Sequence, residues 1–456
     1  MYRQKDYDMI KLNLDVIEHN AEDEFVRNHK VPNLKEIDDI NKTILKFIKD
    51  NKRIIYGGYA QNELIKNKNK DDAFYTETDM ADIEFYTPEP IKDGMTLADI
   101  LHKEGYKHTQ LKEGVHHETY NLFCNFRNYS DVSYMPKNVF NKCPTIDVDG
   151  LKMTHPHFMM IDAYRVYTDL LASNFRLSKT FNRMTILMKH YQYDDDAKHN
   201  IIKYNTTIKP KELDDIQKFI RQKILHDSKL IIVGHYAFNY YAKKVDTKSV
   251  IEYFPYYQII TSEYEKDVKN IYDILKKEYG GKIKTREFYP YFQFFGKRIE
   301  YVYDNQVILK LYSNNNRCTP FKISDKKHTN FGTFQTLILY FLIDYSYAII
   351  NNFSHEETNY MGLIVKLFNL RDHYLKNRNL TVLDESPFVE FTLECIGKPF
   401  DMIRESLLEG KRRIKAGKKF KFEYFPKDTP GKVPEFRFDN TSGNLIQSER
   451  DLTKLT

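Results

Sequence analysis

Apolar residues fall at helical spacing through Leu34, Ile37, Ile40, Ile44, Leu45 and Ile48, with Lys, Asp and Asn between them. That periodicity predicts an amphipathic helix opened by Pro32 and running to Lys49. Lys52 to Tyr56 then reads as a short strand that ends at Gly57-Gly58, and Tyr59 to Asn67 as the next helix. Asn67 to Thr78 is a polar loop. Met80 to Tyr86 has the apolar density of a strand, and Thr96 to Glu104 reads as a helix. Tyr120–Arg127 and Tyr129–Tyr134 read as a hairpin turning at Arg127-Asn128, and Phe158 to Tyr191 as largely helical. The order of helix, strand, glycine turn, helix and mixed sheet is an α+β pattern.

The same course is run twice. KEIDDINK begins at Lys35 and KELDDIQK at Lys211. Ile54-Ile55-Tyr56-Gly57-Gly58-Tyr59-Ala60 is echoed by Ile231-Ile232-Val233-Gly234-His235-Tyr236-Ala237. Asp99-Ile100-Leu101 pairs with Asp273-Ile274-Leu275, Cys143 with Cys318, Ile161-Asp162 with Ile343-Asp344, and His190-Tyr191 with His373-Tyr374. The separation stays close to about 175 residues and drifts by small steps, as loop insertions would make it. Coincidence between helices of like composition is the competing explanation, and six matches in unbroken order weigh against it. Between the copies, Gln192 to Thr207 is a polar connector.

Composition adds bounds. With 456 residues, 41% hydrophobic and 29% charged, the chain is globular and long enough for two or three domains. A net charge of +6 permits a polyanionic partner without requiring one. The four cysteines, Cys124, Cys143, Cys318 and Cys395, have no CxxC spacing, so neither a zinc site nor a disulfide framework is expected, and a reducing compartment suits them. The N-terminus has no apolar signal core, and Leu337 to Ile343, the longest apolar run, is too short to span a bilayer, so no membrane association is expected.

The chemistry concentrates in the first copy. On a strand, Asp82 and Glu84 project to one face while Ile83 enters the core. Two carboxylates side by side repel, and bridging hard divalent cations relieves that repulsion. Asp131, on the strand Asp131-Val132-Ser133-Tyr134, would complete an oxygen-donor set. Gly57 and Gly58 let backbone approach a triphosphate, and the helix from Tyr59 would aim its first amides there. The bland alternatives are an exposed strand pair, an ordinary turn and a capping Asp. Asp79 is a rival acid on the opposite face from Asp82. In the second copy the alignment places either Tyr256 and Gln258 or Ile259 and Thr261 under Asp82 and Glu84, and Gln306 under Asp131. Nothing from Tyr253 to Ser262 is acidic. Lys411 to Lys421, KRRIKAGKKFK, is followed by Phe422, Tyr424 and Phe425 and could track phosphates while the rings stack on bases; a solvated helix end is the alternative. His116-His117 and His155-Pro156-His157 lack further ligands and suit surface or packing roles. Arg165, Arg176, Lys179 and Arg183 are candidate phosphate contacts.

Gly-Gly, then Asp-h-Glu, then a strand bearing Asp-h-Ser resembles the polymerase-beta-like nucleotidyltransferase superfamily. A complete copy followed by a degenerate one resembles the viral poly(A) polymerase catalytic subunits of giant (mimivirus-like) viruses and poxviruses, over residues 31 to 380 or so. The resemblance implies template-independent transfer of AMP from ATP to an RNA 3′ end. It gives Asp82, Glu84 and Asp131 catalytic and metal-binding roles with two Mg²⁺ or Mn²⁺ ions, and Gly57, Gly58 and Tyr59 a triphosphate-binding role. It also implies a homodimer, RNA over basic surface, and action in the host cytoplasm or a viral factory, or within the virion. Two departures stand out: the long gap from Gly58 to Asp82, and Tyr59 where many members carry Ser or Thr. The expected plan is an arm over 1–30, a catalytic nucleotidyltransferase domain over 31–200, a degenerate copy over 201–380, and a basic segment and tail over 381–456. Other readings are an oligoadenylate- or tRNA-end-type RNA nucleotidyltransferase, and a non-catalytic RNA-binding scaffold.

Overall fold

A computed structural model describes residues 2–30, 33–76, 79, 81–116, 118–324, 329–426 and 445–446. In chain order the first half comprises α1 (Gln4–Phe25), α2 (Leu34–Asp50), β1 (Ile54–Tyr56), α3 (Gly57–Lys68), β2 (Ile83–Thr87), α4 (Pro90–Lys103), β3 (Gln110–Glu113), β4 (Thr119–Cys124), β5 (Arg127–Tyr134), α5 (Lys137–Phe140), β6 (Thr145–Val148), β7 (Leu151–Thr154), α6 (Pro156–Thr168), α7 (Leu170–Ser173) and α8 (Leu177–His190). The second half comprises α9 (Pro210–Lys223), β8 (Ile231–Val233), α10 (Gly234–Val245), β9 (Tyr257–Thr261), α11 (Tyr264–Tyr279), β10 (Ile283–Phe288), β11 (Arg298–Tyr303), β12 (Gln306–Ser313), β13 (Thr319–Ile323), β14 (Asn330–Gly332), α12 (Phe334–Asn351) and α13 (Ser354–Arg378). The remainder forms β15 (Cys395–Ile396), α14 (Met402–Lys415), β16 (Glu423–Tyr424) and β17 (Leu445–Ile446).

The sequence repeat is a repeat of topology. The first sheet runs β16-β3-β4-β5-β2-β1-β7-β6, and the second, read from its matching edge, β17-β10-β11-β12-β9-β8-β14-β13-β15. Seven strands therefore share one order, and each copy adds short strands only at its edges. The pairings agree too: β1·β2 and β8·β9 are antiparallel, while β2·β5 and β9·β12 are parallel. Small side-chain devices recur with them. Asn62 Oδ1 accepts from the amides of Phe74 and Tyr75, and Asn239 Oδ1 from that of Ile251. The Thr87 hydroxyl donates to Asp93 at the entry to α4, as the Thr261 hydroxyl does to Asp267 at the entry to α11.

Two compact units divide the described chain, one holding the described residues within 1–134, 146–153 and 417–436, the other those within 135–145, 154–416 and 437–456. The division falls elsewhere than at residue 200, because α6 belongs with the second unit. Phe158, Met159, Met160, Ile161, Ala163, Tyr164 and Tyr167 leave α6 buried nearly all round, and it packs on α12, which is apolar on all sides as well. Phe158 meets Phe294 edge-on at 5.3 Å within this unit.

Two local expectations are corrected, and a third is borne out in finer detail. The hairpin turns at Asn125-Phe126, both at positive φ (48° and 63°), so Arg127 and Asn128 open β5 rather than form the turn. The stretch from Phe158 to Tyr191 is largely helical, as expected, in three helices broken at Asp169 and again over Asn174–Arg176. Cys318 and Cys395 form a disulfide that fastens β15 beside β13, contrary to the expectation of none; Cys124 and Cys143 are buried and free. Among the described residues no helix is long and apolar enough to cross a membrane.

Candidate active site

The first sheet gathers the predicted acids by register. Glu84 on β2 lies opposite Asp131 on the parallel β5 and opposite Tyr56 on β1, the residue that precedes the glycine turn. Asp82 is exposed and sits one residue before β2 begins, two positions from Glu84. Strand alternation is what buries Ile83 and leaves the two carboxylates on one side.

Gly57 has φ +70°, and a Cβ built there would lie 1.6 Å from Glu84 Oε2. Both the backbone conformation and the carboxylate demand glycine. The Gly58 amide, in the first turn of α3, donates to Glu84 Oε2 at 2.9 Å. The turn thus carries a duty the sequence did not suggest: it makes room for Glu84 and orients it. Tyr59 is half-buried, and burial first, then Glu63 and Asp149, push its phenol up, so it stays a neutral hydroxyl.

Asp131 is held through one oxygen. Asn128 Nδ2 donates to Oδ1 at 2.8 Å, and Asn121 Nδ2, from the residue opposite on β4, donates to the same atom. Sequence reasoning missed both amides. Asn128 had been placed in a turn, and Asn121 is brought to Asp131 by strand register alone. A cavity of about 240 Å³ opens beside Asp82, lined also by Asn41, Arg127, Asn128 and Tyr129. Buried Oδ1 atoms of Asn41 and Asn128 have no hydrogen-bond partner.

Among the described residues no three acidic, His or Cys side chains already stand at metal-holding separations. The donor chemistry nevertheless fits a hard divalent ion. All three groups are carboxylates, and the two amide donors on Asp131 fall on Oδ1 and leave Oδ2 to a cation.

The other candidates fare differently. Asp79 accepts from the Thr76 amide and hydroxyl and serves a local turn. Within the first unit, Phe422 packs on Tyr120 and Tyr424 donates to Asp99 at 2.6 Å as β16 extends the sheet, so of the three rings after the basic run only Phe425 is exposed. Arg412 and Arg413 pair with Glu409 on α14. Arg165 pairs with Asp162, Arg176 lies in the turn before α8, and Lys179 and Arg183 lie on α8. His155 caps α6 through Nδ1 and His157 bonds the Tyr191 carbonyl, which are packing roles. His117 lies outside the described residues.

In the second copy Val233, just before Gly234, lies opposite Gln258, so of the two alignments the register selects Gln258 as the counterpart of Glu84 and Tyr256 as that of Asp82. The third position is a correction. Lys310, not Gln306, stands opposite Gln258, as Asp131 stands opposite Glu84. The loops between the strands differ in length by more than a constant offset allowed.

A seven-strand mixed sheet with a glycine turn feeding an acid pair and a third acid on the neighbouring parallel strand defines a nucleotidyltransferase module, here doubled and complete once. Residues 42–173 match the family model "Poly(A) polymerase catalytic subunit", and residues 187–455 the model "APMV, Putative poly(A) polymerase, catalytic subunit, C-terminal". The "Putative poly(A) polymerase catalytic subunit" of Acanthamoeba polyphaga mimivirus is 33% identical, over 98% of this chain and 83% of that one. The protein of the same description from African swine fever virus (strain Badajoz 1971 Vero-adapted) is 28% identical over 35% of this chain and 34% of its own. The crystal structure of the Megavirus polyadenylate synthase superposes with a TM-score of 0.88 at 30% identity, covering 98% of this chain and 93% of that one. The chain belongs to the family of viral poly(A) polymerase catalytic subunits, enzymes of the nucleotidyltransferase class.

Proposed function

We propose that the first module transfers AMP from ATP to the 3′ end of RNA without a template, and that Asp82, Glu84 and Asp131 are its metal-holding groups. The observation that carries this is the register of Glu84 with Asp131 beside a glycine turn shaped around Glu84. Two divalent ions there supply neutralisation of the triphosphate and a lowered pKa for the attacking hydroxyl. Asp131, steadied by Asn121 and Asn128, faces the RNA 3′ hydroxyl as its proton leaves. Glu84, fixed by the Gly58 amide, and Asp82 at the mouth of the strand hold the nucleotide side. The 3′ oxygen attacks the α-phosphorus and pyrophosphate departs toward the glycine turn, with Gly57, Gly58 and Tyr59 lining its path. The cavity beside Asp82, with Arg127 in its wall, gives an incoming strand room. A homodimer, RNA along Lys411–Lys421 and action on viral mRNA in the cytoplasm belong to the same reading and rest on family membership.

Incubation with Mg²⁺ or Mn²⁺, labelled ATP and an RNA primer tests it. Long A-tails are expected; short oligomers would favour an oligoadenylate-type enzyme, and no incorporation would sink the proposal. Asp82→Asn should reduce incorporation by more than about 100-fold, the upper end of what loss of a supporting partner costs a metal site. Tyr256→Phe, at the matching position of the second copy, should leave it unchanged.

A further inference from the structure

The second module has a phenol ring, an amide and an ammonium group where the first has its three acids, and the ammonium group lies over the ring. Lys310 Nζ lies 4.1 Å from the centre of the Tyr256 ring and 3.8 Å from Glu300 Oε1, and its side chain is 13% exposed. Gln258 Nε2 donates to Asp344 Oδ2 at 2.6 Å and to the Tyr312 hydroxyl at 2.9 Å. Asp344, on α12, is 4% exposed. The glycine turn is filled as well. His235 stands where the first copy has Gly58, is buried, and bonds the Tyr204 hydroxyl through Nε2 at 2.8 Å.

A buried lysine is costly unless it is paired. Lys310 and the buried Arg298 both face Glu300 Oε1, at 3.8 and 3.7 Å. Burial pushes the Asp344 carboxyl up, and the charges of Lys310 and Arg298 oppose that. We infer that Lys310 is a built-in cation, occupying by strand register the place of a metal-holding acid, and that together with Arg298 it balances Glu300 and Asp344 so that the second module needs no divalent ion and admits none. Its ammonium group contributes what a metal would otherwise contribute to an acid-lined pocket: a positive charge among carboxylates, supplied by the chain itself. His235, Tyr204 and Tyr256 occupy the space that a triphosphate would need at the turn. The second copy is thereby a neutralised module held for shape, not a weak second active site.

A charge series at one residue tests this in the full chain. Lys310→Met keeps the length and removes the charge; it should lower the melting temperature by several degrees, whereas Lys310→Arg should lose less. Propylammonium should raise the melting temperature of Lys310→Ala, and propanol should not. A Lys310→Met protein that melts with the wild type, or rescue by propanol equal to that by propylammonium, overturns the inference. Should neither uncharged variant fold, the chain carrying Asp82→Asn, Glu84→Gln and Asp131→Asn decides, since its second module is untouched. It should show no Mn²⁺-dependent shift in melting temperature, and a shift would overturn the inference. This last arm rests on the proposed role of the three acids. An unmutated chain that also shows no Mn²⁺ shift counts against that role and leaves Lys310 as argued.

Discussion

Asp131 receives both of its amide donors on one oxygen, and that asymmetry sets its behaviour. A carboxylate free to rotate would spend part of its time with either oxygen toward the site; Asn121 and Asn128 hold it in one setting. Partners behind a metal-holding group typically contribute about 10- to 100-fold in metal affinity or activity. Asn128→Ala should therefore raise the Mg²⁺ concentration for half-maximal AMP incorporation by about 10-fold or more, with the melting temperature nearly unchanged. A titration in which only the maximal rate fell, at constant Mg²⁺ requirement, would contradict this. The placing of Asp82 and Glu84 on one side of the sheet was legible because i and i+2 on a strand share a face. The two asparagines were not, because one depended on where the hairpin turned and the other on register across it.

At the scale of elements, α6 shows how a helix end can couple to pH. His155 precedes Pro156 and accepts the His157 amide on Nδ1, which only an unprotonated Nδ1 can do. Burial, then the neighbouring His157, lower its pKa from the ordinary 6.5 to about 4. The sign follows: the folded state binds this proton less readily than the unfolded chain. The stabilisation is therefore present above pH 6.5 and is lost as pH falls from there toward 4, by at most about 3 kcal/mol. His155→Asn keeps a capping acceptor without the titration, so its unfolding free energy should depend less on pH across that window. Equal slopes for variant and wild type would exclude the cap as the source. The elements themselves were largely legible, α2, α3 and β1 from apolar spacing and the glycine turn. The hairpin was misplaced by a few residues because Phe126 takes a positive φ that its side chain gives no hint of.

For the whole molecule, the doubling was visible because two copies with like periodicities stay colinear even as loops drift. What drift conceals is the partner of a residue across strands, hence Lys310, and which unit a helix buried nearly all round packs within, hence α6. The disulfide was hidden for a related reason: a sequence separation of 77 between Cys318 and Cys395 says nothing about an edge on which the chain closes. That edge has other fastenings. The Cys318 and Lys398 amides donate to the carbonyls of Lys398 and Asn316, Gly397 at φ +109° fits where a Cβ would lie 2.0 Å from the Arg317 carbonyl oxygen, and the Arg317 guanidinium covers Phe400 at 4.0 Å. Closing a loop of this length restricts the unfolded chain by about 4 kcal/mol in the entropic account. Reduction, or Cys395→Ser, should accordingly lower the melting temperature by several degrees. Because the backbone bonds keep the edge in place and all three acids lie in the first module, incorporation of AMP well below the transition should not change. Parallel melting curves and primer-extension assays, with and without dithiothreitol, separate the two effects. Loss of activity at low temperature with an unshifted transition would mean that this edge reports to the active site rather than to stability.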